Sequence, residues 1–130
     1  MNTAMRYLGI DFGVKRIGVA VSDDGGMLAF PKVIIENSGA ATSEVAAIVA
    51  EEKIDEIVLG YSANLSGADN PVQEKIEEFK KSLIEACGKP IHFEKEFLTS
   101  FEARRYSTSE RVDDSAAALI LQRYLDRTKK

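Results

Sequence analysis

Three carboxylates stand where the functional groups of an α/β protein usually lie. Asp11 comes near the end of the first apolar strand, Glu96 follows the last strand, and Asp113 opens the last helix. The carboxyl ends of strands and the neighbouring helix starts face the same crevice of such a sheet. Carboxylates that converge there repel one another unless a divalent cation neutralises them, and Mg²⁺ or Mn²⁺ suits an oxygen-rich site. The pattern suggests metal-assisted phosphoryl transfer.

Each acid also has an ordinary structural explanation. Asp11 could accept hydrogen bonds from backbone amides in the Gly13–Lys15 turn, and Glu96 belongs to a polar run typical of solvated charge. Asp113 and Asp114 both suit a helix N-terminus, where free amides and the helix dipole favour an anion. Spacing alone therefore suggests a metal site without establishing one.

The composition is typical of a globular chain that needs no disulfide bond or structural metal ion to fold. The 130 residues are 45% hydrophobic and 29% charged, which favours one domain over residues 1–130 with its own core. The lone Cys87 and the lone His92 exclude multi-cysteine and His-rich metal sites. No third group is evident to orient them as a nucleophile and base, so we expect neither to be catalytic.

The hydropathy and charge of the chain bear on its partners. No apolar run approaches the roughly 20 residues of a membrane span, and no signal-peptide layout is present, so we expect a cytoplasmic protein without a membrane partner. The net charge of −4 argues against bulk attraction to nucleic acid. Residues 1–100 carry 10 basic and 16 acidic side chains, whereas residues 101–130 carry 7 and 5, so the basic end permits a local phosphate contact.

Hydrophobic patterning predicts the element order β-β-β-α-β-α-β-α-α. Three strands joined by short turns are expected at residues 7–12, 16–22 and 31–35, and such connections imply antiparallel pairing. Later strands at 57–60 and 91–93 alternate with helices, which gives an α/β fold with a mixed sheet and helices on both faces.

Capping residues set the expected helix limits. Thr42 or Ser43 could cap the first helix, and Asn70 with Pro71 begins the second, which Gly88 ends. A short helix is expected over residues 99–106, followed by the last helix from residue 113 or 114. The inward residues of the three longer helices are predicted to be Val45, Ile48 and Val49; Val72, Ile76, Phe79, Leu83 and Ile84; and Ala117, Ile120, Leu121, Tyr124 and Leu125.

Two segments carry a family resemblance. Residues 8–23, L-G-I-D-F-G-V-K-R-I-G-V-A-V-S-D, resemble the opening motif of the YqgF/RuvX family of Holliday-junction-resolvase-like proteins in the RNase H-like superfamily. Residues 112–126, V-D-D-S-A-A-A-L-I-L-Q-R-Y-L-D, resemble the closing helix of that family. The resemblance covers the whole chain and implies an RNase H-like fold.

The resemblance also implies an activity and its residues. It implies a hydrolase, a divalent-metal-dependent nuclease that matures the 5′ end of pre-16S ribosomal RNA. Asp11, Glu96 and Asp113 would be the catalytic, metal-holding acids, with Mg²⁺ or Mn²⁺ as cofactor. The residues expected to contact nucleic acid are Lys15 and Arg16, which match a K-R pair of the family, together with Asn64 and Arg104. A solvated helix face would also explain Arg104, and an ordinary turn or ion pair would explain Lys15 and Arg16.

Two segments depart from the family pattern. The family's D-E-R-L-T-T aligns with residues 95–100, where Glu96 is kept but Lys95 and Phe97 replace an acid and an arginine. Its G-L-P-x-x-M-D-G loop aligns with residues 60–67, where Ser62 and Ser66 replace the proline and an aspartate. These changes leave the three acids intact and predict altered substrate choice or reduced activity.

Three other functions compete with the nuclease. A Holliday-junction DNA resolvase would act as a homodimer, because the junction has two-fold symmetry, whereas an RNA-processing enzyme could act as a monomer. A non-catalytic nucleic-acid-binding or ribosome-assembly factor would contact ribosomal precursor particles without cleaving them. A nucleotide-binding fragment of the actin, sugar-kinase or Hsp70 type would need a second lobe to enclose ATP. Structured RNA is the favoured partner over a DNA junction.

Overall fold

The computed structural model describes residues 5–60, 71–94 and 112–128. The helix predicted over residues 99–106 lies outside them. The described elements are β1 (Tyr7–Phe12), β2 (Arg16–Ser22), β3 (Ala29–Glu36), α1 (Ala41–Glu51), β4 (Glu56–Gly60), α2 (Pro71–Cys87), β5 (Ile91–Glu94) and α3 (Val112–Thr128).

The strands form a mixed sheet in the order β3-β2-β1-β4-β5. β2 pairs antiparallel with β1 and β3, whereas β4 pairs parallel with both β1 and β5. The prediction of three antiparallel strands followed by βα units is confirmed. β1 lies at the centre of the sheet, between an antiparallel and a parallel neighbour, so both of its faces must be covered.

The two hairpin turns depend on close backbone contacts. Between β1 and β2, a Cβ atom at Gly13 would lie 2.5 Å from the carbonyl oxygen of Arg16, so only glycine fits there. Between β2 and β3, the Asp23 carboxylate accepts hydrogen bonds from the backbone amides of Met27 (2.8 Å) and Leu28 (3.0 Å). Gly13 thus allows the close approach in the first turn, and Asp23 binds the backbone amides of the second.

The two faces of the sheet have separate cores. α1 and α2 cover one face, where the buried residues include Leu8, Ile10, Phe12, Ile17, Val19, Val45, Val49, Ile57, Leu59, Ile76 and Leu83. α3 covers the other face with Ala20, Val58, Ala117, Ile120, Leu121 and Leu125. The prediction of helices on both faces is confirmed. None of these described helices is long and apolar enough to cross a lipid bilayer.

Two details of the helices differ from the predictions. α1 begins at Ala41 after Ala40, whose side chain makes no capping hydrogen bond, so neither Thr42 nor Ser43 is the cap. Ser38 provides the hydrogen bonds at this start instead, because its carbonyl accepts from the amide of Ala41 at 3.0 Å and its Oγ accepts from the amide of Ala40 at 3.2 Å. On α2, Ile84 is 43% exposed, since it lies at the edge of the buried stripe.

Candidate metal and nucleic-acid site

Asp11 lies near the carboxyl end of the central strand, between two glycines. Its register partners are Gly18 on β2 and Gly60 on β4. Side chains alternate along a strand, so Asp11 points to the same face as Gly9, which is the face that α3 covers. Because neither partner has a side chain, the half-buried carboxylate of Asp11 has no bulky cross-strand neighbour in its row. On the β4 side, α3 packs over the glycine, since a Cβ atom at Gly60 would lie 3.2 Å from Cγ2 of Ile120. The sequence therefore places a carboxylate at the end of the central strand, beside the helix that covers this face.

The N-terminal end of helix α3 is directed toward the carboxyl end of β1. The rings of Tyr124 and Tyr7 lie 6.1 Å apart at the amino end of β1, and Leu121 packs on Gly9 farther along the strand. α3 therefore runs antiparallel to β1, and its first turn extends toward Asp11. That turn contains Asp113, because the helix begins at Val112. The side chain of Asp113 is outside the described part of the structure.

Three other predicted site residues belong to segments that the structure does not describe. β5 ends at Glu94, two residues before Glu96, and Glu94 is in register with Gly60 beside Asp11. Glu96, Asn64 and Arg104 lie outside the described residues. Within residues 5–60, 71–94 and 112–128, the structure contains no group of three His, Cys, Asp or Glu side chains able to hold a metal.

Glu94 is a buried acid that the sequence analysis did not single out. Only 2% of its side chain is exposed, and Arg127 donates two hydrogen bonds of 2.7 Å to its two carboxylate oxygens. This bidentate arrangement is the strongest geometry for an arginine–carboxylate pair. The sequence offered one weak signal, an acid at the end of a strand with a basic residue in the last turn of the final helix. Each oxygen of Glu94 accepts a hydrogen bond from Arg127, so the charge of this buried carboxylate is compensated within the fold.

The same edge of the sheet holds His92. Its Nε2 lies 2.8 Å from the Glu56 carboxylate, and its ring stacks on Tyr124 with centroids 5.4 Å apart. Cys87 lies against the core on the opposite face, where its thiol donates to the carbonyl of Leu83 at 3.2 Å. Cys87 and His92 thus have separate partners on separate faces of the sheet.

The end of the β1–β2 loop and the first residue of β2 carry two cations, Lys15 and Arg16, beyond Asp11 in the sequence. Lys15 and Arg16 are exposed, and Arg16 lies opposite Glu36 in the β2–β3 register. Asn37 fixes the loop, because its side-chain amide donates to the carbonyl of Gly13 (2.7 Å) and its backbone amide donates to the carbonyl of Lys15 (3.0 Å). A basic segment fixed in this way, near the Asp11 carboxylate, is suited to contact with a phosphate group.

The chain is similar to known proteins over almost its whole length. The family model for RuvX, described as Holliday junction resolvase, matches residues 5–127. A relative from Nitratidesulfovibrio vulgaris is 35% identical, with 94% of each chain covered, and one from Agathobacter rectalis is 37% identical, with 94% of this chain and 95% of the relative covered. Both relatives are named "Putative pre-16S rRNA nuclease".

Solved structures agree on the fold. RuvC from Thermus thermophilus superposes with a TM-score of 0.66 at 13% identity over 96% of each chain. The fowlpox virus Holliday junction resolvase gives 0.54 at 15% identity over 95% of this chain and 99% of the viral one. At such low identities the likeness shows the RNase H-like fold alone. Because the family model spans residues 5–127 and relatives at least 35% identical cover 94% of the chain, the chain belongs to the RuvX (YqgF) family.

Proposed function

We propose that this protein is a divalent-metal-dependent nuclease that processes the 5′ end of a pre-16S ribosomal RNA. The observation that carries the proposal is the position of Asp11, a half-buried carboxylate between two glycines at the end of the central strand. Relatives of the same length carry the corresponding nuclease name, which supports the choice of substrate. A substrate of this kind would place the protein in the cytoplasm.

Asp11, Glu96 and Asp113 would hold the cation. Carboxylate oxygens are the donors that Mg²⁺ and Mn²⁺ prefer. The fit is supported by α3, which runs antiparallel to β1 and extends its first turn toward Asp11. When bound, the cation would lower the pKa of an attacking water and neutralise charge on the scissile phosphate.

The chain's own cations would bind and orient the substrate. Lys15 and Arg16 would hold phosphates next to the cleaved bond, on a loop that Asn37 fixes. Asn64 and Arg104 would extend this contact along the nucleic acid. Phosphate contacts of this kind set the register of the substrate without reading its sequence, so substrate choice would depend on the shape of the RNA.

The test is cleavage of a pre-16S RNA that carries its 5′ leader, with Mg²⁺ or Mn²⁺ and with a chelator. Asp11→Asn should abolish cleavage, because it removes the charge that holds the cation while keeping the side-chain size. Asp24→Asn is the matched control, since Asp24 is 81% exposed in the turn at the other end of β2. Persistent cleavage by Asp11→Asn, or none by the wild type, would contradict the proposal.

A DNA resolvase is the second candidate, because the matching family model bears that description. A four-way DNA junction in the same assay distinguishes the two functions. Symmetric, metal-dependent cuts in the junction, made by a dimer and lost in Asp11→Asn, would favour resolution. RNA binding without product, unaffected by Asp11→Asn, would favour a non-catalytic assembly factor.

A further inference from the structure

A continuous set of contacts ties the end of α3 to strand β5. In order along this edge, Glu56 contacts His92 at 2.8 Å and the His92 ring stacks on Tyr124. The guanidinium of Arg127 lies 5.7 Å from the Tyr124 ring and donates both hydrogen bonds to Glu94. The last turn of α3 is thus fixed to the last residue of the edge strand.

The middle of α3 is fixed independently by its contact with β1. A Cβ atom at Gly9 would lie 2.6 Å from the Cβ of Leu121 and 3.1 Å from the carbonyl of Ala117, so the helix rests directly on the strand backbone. Arg127 lies about 9 Å along the helix beyond Leu121, and Asp113 lies about 12 Å away in the other direction at 1.5 Å per residue. Leu121 thus lies between the Arg127 contact and the first turn, so we expect a change in the helix axis at Arg127 to alter the position of that turn.

We propose that Arg127 is a positioning residue that sets the start of α3 relative to Asp11 through its bidentate pair with Glu94. This inference rests on the proposed function, in which Asp11 and Asp113 hold the same cation. A lysine cannot replace the arginine, because an ammonium group lacks the planar fork that engages two oxygens at once. The geometry of the pair, rather than its charge, is the property that positions the helix.

Stability alone is a poor explanation for this pair. Removing a glutamate from water carries a desolvation cost that can exceed the attraction to its partner, and apolar residues of similar size often stabilise a fold equally well. Glu94 is 2% exposed and its partner Arg127 is 57% exposed, so the desolvation cost falls mainly on the carboxylate. Glu52, which pairs with Arg6 and Lys32 at the end of α1, is 22% exposed and provides a more solvated comparison.

Arg127→Lys and the double variant Glu94→Met with Arg127→Met test the inference. The double variant replaces the pair by apolar side chains, so it should fold with nearly the wild-type free energy of unfolding. Calorimetric titration with Mn²⁺ alone should show about tenfold weaker binding in both variants, as for other residues that orient metal ligands. With RNA, kcat should fall more than KM changes, because the acids are displaced while the substrate contacts are not. Glu52→Gln should leave both quantities unchanged.

Two outcomes overturn the inference separately from the proposed function. If the wild type binds Mn²⁺ and both variants bind it equally or more tightly, the pair is only a structural contact. If the double variant keeps its stability and also its Mn²⁺ affinity and kcat, positioning by Arg127 is wrong. Failure of the wild type to bind Mn²⁺ would instead overturn the proposed function, and this inference with it.

Discussion

Gly9 and Leu121 are in contact so close that no side chain fits between them. A Cβ atom at position 9 would lie 2.6 Å from the Cβ of Leu121, which is shorter than real carbon–carbon contacts. The absence of a side chain on the central strand therefore allows α3 to lie directly on the sheet. This contact fixes the distance between the helix that carries Asp113 and the strand that carries Asp11.

Gly9→Ala should push α3 away from β1. Overpacking of this kind costs about 1–3 kcal/mol of the free energy of unfolding. It should also weaken Mn²⁺ binding, because the first turn of α3 moves with the helix. Gly39→Ala is the control, since a Cβ atom there meets nothing within 4 Å. Urea unfolding of the two variants measures the difference, and equal stabilities would contradict the close contact.

Lys15→Gln and Arg16→Gln should each reduce the salt dependence of RNA binding. A phosphate contact releases condensed counterions, so losing one lowers the slope of log K against log salt by roughly 0.7 to 0.9. Filter-binding or anisotropy titrations over a range of salt concentrations measure this slope. Lys81→Gln, on the exposed side of α2, should leave it unchanged. A uniform effect of all three variants would indicate that only net charge matters.

The architecture was predictable because local rules and burial agree along most of the chain. Short turns between three strands set the antiparallel pairing, and Pro71 and Gly88 set the limits of α2. The face of α1 was predictable from the spacing of Val45, Ile48 and Val49, all of which are buried. The start of α1 was not predictable, because Ser38 stabilises it from outside the helix, through its carbonyl and its side chain, while Thr42 and Ser43 lie within the first turn.

The site was only partly predictable for a different physical reason. Asp11 could be singled out from the sequence because a carboxylate in an apolar strand is costly to bury. Its position near the end of the strand therefore indicates a pairing partner or a functional role. Glu94 belongs to the polar run that suggested solvated charge, and only the tertiary contact with Arg127, 33 residues later, explains its burial. A pairing over that distance in sequence leaves no local pattern.

Stability should fall at alkaline pH because two tyrosines are held in their neutral form. Burial, with the nearby Glu56 carboxylate, raises the pKa of both Tyr7 and Tyr124 above the ordinary value of 10.0. Above that value the unfolded chain loses these protons first, so the free energy of unfolding declines as pH rises. Tyr124→Phe should flatten the decline above about pH 10 in urea-unfolding midpoints. The same slope in wild type and variant would show that Tyr124 does not contribute.

The ends of α1 and α2 provide a paired test of backbone strain. Both helices are followed by a residue in the left-handed region, Lys53 with φ of 54° and Gly88 with φ of 66°. After α1, the amide of Ile54 donates to the carbonyl of Val49 and that of Lys53 to Ala50, the pattern of a Schellman motif. That motif favours glycine where α1 has a lysine, because a side chain in this conformation costs about 1–2 kcal/mol.

Lys53→Gly should therefore be more stable than Lys53→Gln by about 1 kcal/mol, after the greater freedom of glycine in the unfolded chain is allowed for. The glutamine variant serves as the reference because it removes the favourable charge at the helix C-terminus equally. Gly88→Ala should show the reverse effect with similar size, since a Cβ atom there meets nothing within 4 Å and only the backbone changes. Thermal unfolding of the three variants measures both differences. If Lys53→Gly is no more stable than Lys53→Gln, the backbone after α1 is not strained, whatever Gly88→Ala shows.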